Sequence, residues 1–318
     1  MEIAVLVHDG VFDSGLSAVL DVLDGANAMR DQVGGAPAWN VTTVGCRPQV
    51  RTGAGHLVET EPLDRADAAD LLIVPALAER RPDALLERVA ADDLAPVRQR
   101  IAHTRARGTA VASACTGTFL LAEAGVLDGR RATTSWWLSP VFRGRYPRVR
   151  LDQSRMVVAE DGVMTAGAAF GHVDLALHVV RSGSPALADL IARYLVIDER
   201  PSQSAYTIPS ALAQSDPTVA AFERWVRARL AEPLTIPDAA REIGVSNRTL
   251  QRSVQRTLGV SPIRFVQDLR VEQASHLLRT TDQSLETIAR KVGYEHPHTL
   301  RVLLRERTGK TTTALRGV

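Results

Sequence analysis

Cysteine is nearly absent from this chain: Cys46 and Cys115 are the two it has. That is too few for a disulfide framework, and neither stands in metal-ligand spacing, so both are expected as reduced thiols and neither a metal nor a cofactor is called for. Long apolar runs are missing as well. None reaches the roughly 18 residues that a membrane-spanning helix needs. The first residues, MEIAVLVHDG, lack a basic stretch followed by an apolar core and a small-residue cleavage site. The expectation is a soluble protein of the cytoplasm with no membrane partner. Lysine is scarce too, with Lys291 and Lys310 standing among 38 basic residues. This fits a GC-rich genome and carries no functional weight.

What is present is a chain of 318 residues, 45% of them hydrophobic, with a mean hydropathy near zero. That length has room for two domains with a sizeable core. The net charge of +2 conceals an asymmetry, because residues 216–318 hold 17 Lys and Arg against 11 Asp and Glu while the remainder is acidic. A basic C-terminal third suggests an anionic partner, of which nucleic acid is the commonest.

Up to about residue 197, short β-branched runs (EIAVLV, WNVTTVG, ADLLIVPA, TAVASA) alternate with helical stretches such as SGLSAVLDVLDGANAMR and APVRQRIAHTRARG. This alternation predicts an α/β domain with a mainly parallel sheet covered on both faces. Further strands are expected around the turn Glu160-Asp161-Gly162, and a helix ending at Gly183. Residues 198–215, rich in Pro, Ser and Gln without periodicity, are read as a linker, and residues 216–318 as all-α.

The all-α region contains an internal repeat of about 50 residues, aligned on Gly244 and Gly293. In each copy an amphipathic helix meets a glycine able to take positive φ, and a second helix follows a short turn. This is the pattern of a helix-turn-helix. In the first copy Ser246 is placed to cap the second helix, Leu250 and Val254 face inward, and Arg248, Gln251 and Arg252 face outward. Arg can read guanine and Gln adenine in a major groove. In the second copy Leu300, Leu303 and Leu304 are expected in the core, with His298, Arg301 and Arg305 outside. Two such helices about one turn of B-DNA apart, roughly 34 Å, could enter successive major grooves.

Residues 216–318 resemble the DNA-binding domain of AraC/XylS-type transcriptional regulators through LTIPDAAREIGVSNRTLQRSVQRTLGVSPIRFVQDLRVEQASHLL and SLETIARKVGYEHPHTLRVLLRERTG. The resemblance implies DNA contacts from Arg248, Gln251 and Arg252 in the first reading helix, and from His298, Arg301 and Val302 in the second. The chain departs from the pattern at Val254 and Leu304, where an aromatic is usual, and at Thr312 and Leu315, where Pro and Tyr are usual. The fold tolerates aliphatic replacements in a core, and the C-terminal cap is expected to be looser.

In the first domain a strand ending near Ala114 and a helix starting near Thr116 put Cys115 on a strand-to-helix elbow. That is where α/β folds expose nucleophiles, and the helix N-terminus favours a thiolate there. A small apolar filler is the plainer reading of the same residue. The stretches SACTGTFLLAEAGVLDGRRATTSWW, VFDSGLSAVLDVL and GVMTAGAAFGHVDLALHVV resemble the PfpI-like branch of the class I glutamine-amidotransferase-like superfamily. With an AraC-type domain behind it, the whole resembles the GlxA family of transcriptional regulators. The resemblance implies a flavodoxin-like parallel sheet and a homodimer formed through the N-terminal domains.

In enzymes of that superfamily the elbow cysteine works with a carboxylate from the first βα loop and a histidine about 20 residues downstream. Asp13 matches the carboxylate, but the histidine position is Ser135. A neutral hydroxyl cannot act as a general base near pH 7, whereas a placed imidazole contributes on the order of 10² to 10⁴-fold in rate. The turn that often supplies backbone N–H groups has Ala76 and Leu77 where glycines are usual. No catalytic set is therefore expected. The expectation is a pocket over Cys115, bordered by Asp13, Ala76, Thr116, Ser135 and His172, that binds a small-molecule effector. Alternatives are a cysteine hydrolase or amidase, or a redox sensor, using Cys115 beside a DNA-binding domain, and a first domain serving only dimerisation.

Overall fold

The computed structural model describes residues 1–316; Gly317 and Val318, the end of the expected 216–318 domain, lie outside the described residues. The chain forms two units, Met1–Gln203 and Ser204–Val318. The strands of the first unit are β1 (Glu2–Leu6), β2 (Asn40–Gly45), β3 (Gln49–Arg51), β4 (Leu57–Glu59), β5 (Glu61–Pro62), β6 (Leu71–Val74), β7 (Ala110–Ala114), β8 (Arg131–Ala132), β9 (Arg150–Leu151), β10 (Val157–Glu160) and β11 (Val163–Ala166). Its helices are α1 (Asp13–Met29), α2 (Pro82–Ala90), α3 (Ala95–Ala106), α4 (Gly117–Glu123), α5 (Ser139–Arg145), α6 (Gly171–Gly183) and α7 (Pro185–Tyr194).

Seven strands make one sheet in the order β10-β11-β7-β6-β1-β2-β5. Only β10 runs antiparallel to its neighbour, and the others pair in parallel, for example Val5↔Thr43 and Ile73↔Ala112. The sequence LLIV of β6 is buried along its whole length because helices cover both faces of the sheet. Alternate residues of β1, continued by Val7 just after it, show the two layers. Ile3, Val5 and Val7 pack with Leu16 and Val19 of α1, Leu175 of α6 and Leu187 of α7. Ala4 and Leu6 pack with Leu85 of α2, Ile101 of α3 and Phe119 of α4. The hairpin expected around residues 160–162 joins β10 to β11, with positive φ at both Asp161 (49°) and Gly162 (71°). A two-residue loop of that handedness matches the strand twist.

The second unit is helical: α8 (Pro209–Ala213), α9 (Pro217–Arg227), α10 (Ile236–Glu242), α11 (Asn247–Leu258), α12 (Pro262–Thr280), α13 (Leu285–Lys291), α14 (Pro297–Thr308) and α15 (Thr312–Leu315). Side-chain caps start most of these helices. Asp216 accepts the N–H groups of Thr218 and Val219, and Ser246, Ser261 and Ser284 accept those of Thr249, Arg264 and Thr287. Gly259 and Gly309 end α11 and α14 in the left-handed conformation. The C-terminal turn, expected to be loose, is held. Thr311 caps α15, Leu315 is buried, and the Arg316 guanidinium binds the carbonyls of Thr281 and Gln283.

The stretch expected as a linker, 198–215, is ordered structure shared between the two units. Arg200 pairs with Asp174 of α6, and Gln203 is fully buried in the first unit. Pro209, with φ preset for a first turn, opens α8, whose Leu212 and Ala213 are buried. A Pro- and Ser-rich composition disguised these contacts because single buried side chains, not a periodic stripe, make them.

Candidate functional site

Cys115 follows β7 directly and takes φ +57°, a left-handed conformation rare for a residue with a Cβ. Its N–H donates to the Ala166 carbonyl at 2.9 Å, and its own carbonyl accepts from Thr134 Oγ1 at 2.7 Å. Helix α4 presses close behind it. A Cβ on Gly117 would lie 2.6 Å from the Pro75 carbonyl oxygen and 2.7 Å from that of Val74, so only glycine fits this approach. The strand-to-helix elbow expected from the sequence is thus present.

The environment of the sulfur differs from the expectation. Cys115 is 4% exposed and Ser135 fully buried, and Ser135 Oγ donates to Cys115 Sγ at 3.0 Å. Burial pushes the thiol above its ordinary range, against the pull of the Ser135 hydroxyl and the Thr116 N–H. The helix N-terminus was expected to favour a thiolate, but in this apolar setting desolvation outweighs it. Thr116 is also buried, its Oγ1 donating to the Leu77 carbonyl at 2.8 Å.

His172 is the fastener of this region. Its Nδ1 lies 2.7 Å from the Ala169 carbonyl and its Nε2 lies 3.1 Å from the Ala76 N–H, which fixes Nδ1 as the protonated nitrogen. Burial lowers its pKa to about 4, so the ring is neutral with both nitrogens used. A Cβ on Gly15 would lie 2.7 Å from this ring, so α1 approaches it through glycine. The Ala76 N–H, a candidate donor to a substrate oxygen, is spent on His172.

Asp13, at the start of α1, turns toward the β3–β4 hairpin. Its carboxylate accepts from the Ala54 N–H at 2.9 Å and lies 2.7 Å from His56 Nδ1. Burial acts to raise its pKa, but hydrogen bonds from Thr52, His56 and Ala54 hold it below the usual carboxylate value. Asp13 also lines a cavity of about 610 Å³ with Leu16, Val22, Val58, Phe170 and Leu195. The pocket expected over Cys115 is therefore divided. Asp13 borders this open cavity, whereas Ala76, Cys115, Thr116, Ser135 and His172 are packed away from solvent. Sequence reasoning did not pair His56 with Asp13, and it passed over Gln203. No motif marks either one, because the contacts that matter come from distant segments.

In the second unit the two turn glycines take φ +76° (Gly244) and +78° (Gly293), as a helix-turn-helix requires. On α11, Leu250 and Val254 are fully buried while Arg248, Gln251 and Arg252 are exposed. On α14, Leu300, Leu303 and Leu304 are buried, His298 and Arg301 are exposed, and Val302 is 50% exposed. Other arginines of the same helices are structural. Arg256 pairs with the helix-capping Asp216 at 2.8 Å, and Arg307, 9% exposed, pairs with Asp268 at 3.0 Å.

A parallel α/β unit with a cysteine elbow, followed by a doubled helix-turn-helix, defines a two-part architecture that comparison with known proteins identifies. The chain belongs to the DJ-1/PfpI family, whose profile matches residues 1–182, and a helix-turn-helix domain profile matches residues 239–317. It is similar to the HTH-type transcriptional regulator CdhR of Pseudomonas aeruginosa, with 31% identity over 57% of this chain and 55% of that one. It is similar also to the HTH-type transcriptional regulator GlxA of Rhizobium meliloti, with 25% identity over 60% of each. The match thus spans little more than half the length of these curated relatives. Among solved structures, a THiJ/PfpI family protein from Pseudomonas syringae shares the fold. Its TM-score is 0.52 at 20% identity, covering 71% of this chain and 86% of that one.

Proposed function

We propose that this protein is a sequence-specific DNA-binding transcriptional regulator of the cytoplasm whose first unit is a sensing and dimerising module without catalytic activity. The observation that carries the reading is the pair of helices α11 and α14. Each is anchored by buried leucine or valine, and together they present Arg248, Gln251, Arg252, His298, Arg301 and Val302 outward. Guanidinium and carboxamide groups are the side chains that read purine edges in a major groove. That CdhR and GlxA are HTH-type transcriptional regulators supports the same reading.

For the first unit, a buried protonated thiol bonded to a serine hydroxyl supports sensing over catalysis, since neither group generates a nucleophile near pH 7. An effector reaching the buried Cys115 must displace some of the residues that cover it, and Ser135 is in direct contact with its sulfur. Binding and movement are then one event, and the effector acts by favouring the displaced arrangement. A homodimer formed through the first units would present two DNA-binding units to one operator.

Selection of genomic fragments by the purified protein tests the assignment. The expected outcome is enrichment of a few fragments sharing a sequence motif, and recovery of DNA without sequence preference would contradict it.

A further inference from the structure

Gln203 is the last residue of the first unit, and it is fully buried although it precedes Ser204, where the second unit begins. Its side chain sits in a ring of polar groups. Nε2 lies 3.0 Å from both the Thr134 and the Arg155 carbonyl oxygens and 3.2 Å from Thr133 Oγ1, and Oε1 accepts the Trp136 N–H at 3.2 Å. Its backbone N–H donates to the Ser154 carbonyl at 2.7 Å, and the Ser202 hydroxyl donates to that same oxygen at 2.8 Å. The site is shaped for this amide. A Cβ on Gly167 would lie 1.8 Å from Nε2, so any other residue there would expel it.

The segments that hold Gln203 are those that hold Cys115. Thr134, whose carbonyl accepts from the amide, donates its hydroxyl to the Cys115 carbonyl. Ser135, between Thr134 and Trp136, which both bind the amide, donates to Sγ. Gly167, against which the amide packs, follows Ala166, whose carbonyl accepts the Cys115 N–H. Displacing residues 133–136 therefore strips Gln203 of the Trp136 N–H and the Thr134 carbonyl together. The Arg155 and Ser154 carbonyls would still hold Gln203, but a buried amide that loses part of its hydrogen bonding is costly, so the chain at 201–203 would be held less firmly in its site.

We propose that Gln203 is the positioning residue through which the state of the Cys115–Ser135 site reaches the DNA-binding unit: while residues 133–136 are in place the amide pins the chain one residue before Ser204, and their displacement loosens it. This rests on the reading of the protein as a DNA-binding regulator and adds the route by which its two units communicate.

The test uses the full-length protein as wild type, Ser135→Val, Gln203→Met and the double variant. Ser135→Val adds volume in a buried place beside Sγ, and Gln203→Met keeps the side chain's length without its hydrogen bonds. Amide hydrogen exchange is read first. Ser135→Val is expected to speed exchange at 202–203 at least tenfold while leaving the α9 core unchanged. Affinity for a selected operator fragment is read second. Ser135→Val is expected to shift it at least fivefold in the wild-type background and less than twofold in the Gln203→Met background. A merely structural glutamine would leave the two shifts equal, and that result overturns the proposal, as does unchanged exchange at 202–203. Should Gln203→Met fail to fold, the exchange comparison decides alone, since it leaves Gln203 in place, and Ser135→Ala repeats it without added volume. A wild-type protein that selects no DNA would refute the regulator reading, and the exchange result would still decide whether the Ser135 segment holds Gln203.

Discussion

The two units treat their polar side chains in opposite ways. In the first, Cys115, Thr116, Thr133, Thr134, Ser135, His172 and Gln203 are all buried and bonded to one another or to backbone. In the second, the side chains suited to recognition stand outward on α11 and α14, and the buried charges are tied to the scaffold, as in Arg307 with Asp268. A residue suited to chemistry is thus not a working site unless something can reach it. The first unit's elbow has the position of a nucleophile but is closed to solvent, while the outward side chains of α11 and α14 are open for contact.

Acid should separate the units most strongly. His8 and His172 are both held at about pKa 4, mainly by burial, against 6.5 in an unfolded chain. The unfolded state takes up protons as the pH falls below 6.5, while the folded state does not until about pH 4. Stability is therefore complete above that window and drains away through it, by on the order of 3 kcal/mol for each histidine. In the second unit Asp216 is held below its ordinary value by N–H groups at the start of α9 and by Arg256, although burial opposes this, so its contribution is lost only near or below pH 4. Thermal unfolding at pH 7 and pH 5 should show the first unit's transition falling and the second's nearly fixed. Equal movement of both would break the contrast.

A smaller effect distinguishes the two helix-turn-helix copies. A Cβ on Gly244 would meet nothing within 4 Å, whereas one on Gly293 would lie 2.3 Å from the Leu230 carbonyl oxygen and 2.5 Å from an Arg270 nitrogen. Replacing either glycine by alanine costs roughly 1 to 2 kcal/mol for the left-handed backbone. At Gly293 overpacking adds roughly 1 to 3 kcal/mol. Denaturant unfolding of Gly244→Ala and Gly293→Ala should show the second destabilised more, and equal losses would mean that the second turn is not clamped.

Much of this was legible in the chain. The runs EIAVLV, ADLLIVPA and TAVASA became β1, β6 and β7 because apolar continuity and burial on both faces are the same fact, and the β-branched run WNVTTVG became the half-buried β2. Gly244, Gly293, Ser246, Leu250 and Leu300 were readable because turn chemistry and helical period are local. The closed state of the cysteine site was not, since it depends on Ser135, His172 and Gln203 arriving from segments far apart in sequence. Gln203 was hidden for a further reason: it lies in a Pro- and Ser-rich stretch, where composition suggests a linker and a single buried amide leaves no pattern. Asp13 was found, but its partner His56 and the cavity beside it were not, because a hairpin's side-chain direction cannot be read from its sequence.

The exposed face of α11 is tested most directly by titrating a selected operator fragment with wild-type protein, Arg252→Ala and, as control, Arg107→Ala, an exposed arginine of the first unit. Arg252→Ala should weaken binding by about 1 to 3 kcal/mol and relax preference at one base position, while Arg107→Ala binds as the wild type does. Unchanged affinity and preference in Arg252→Ala would contradict the assignment of α11 as a DNA-reading helix.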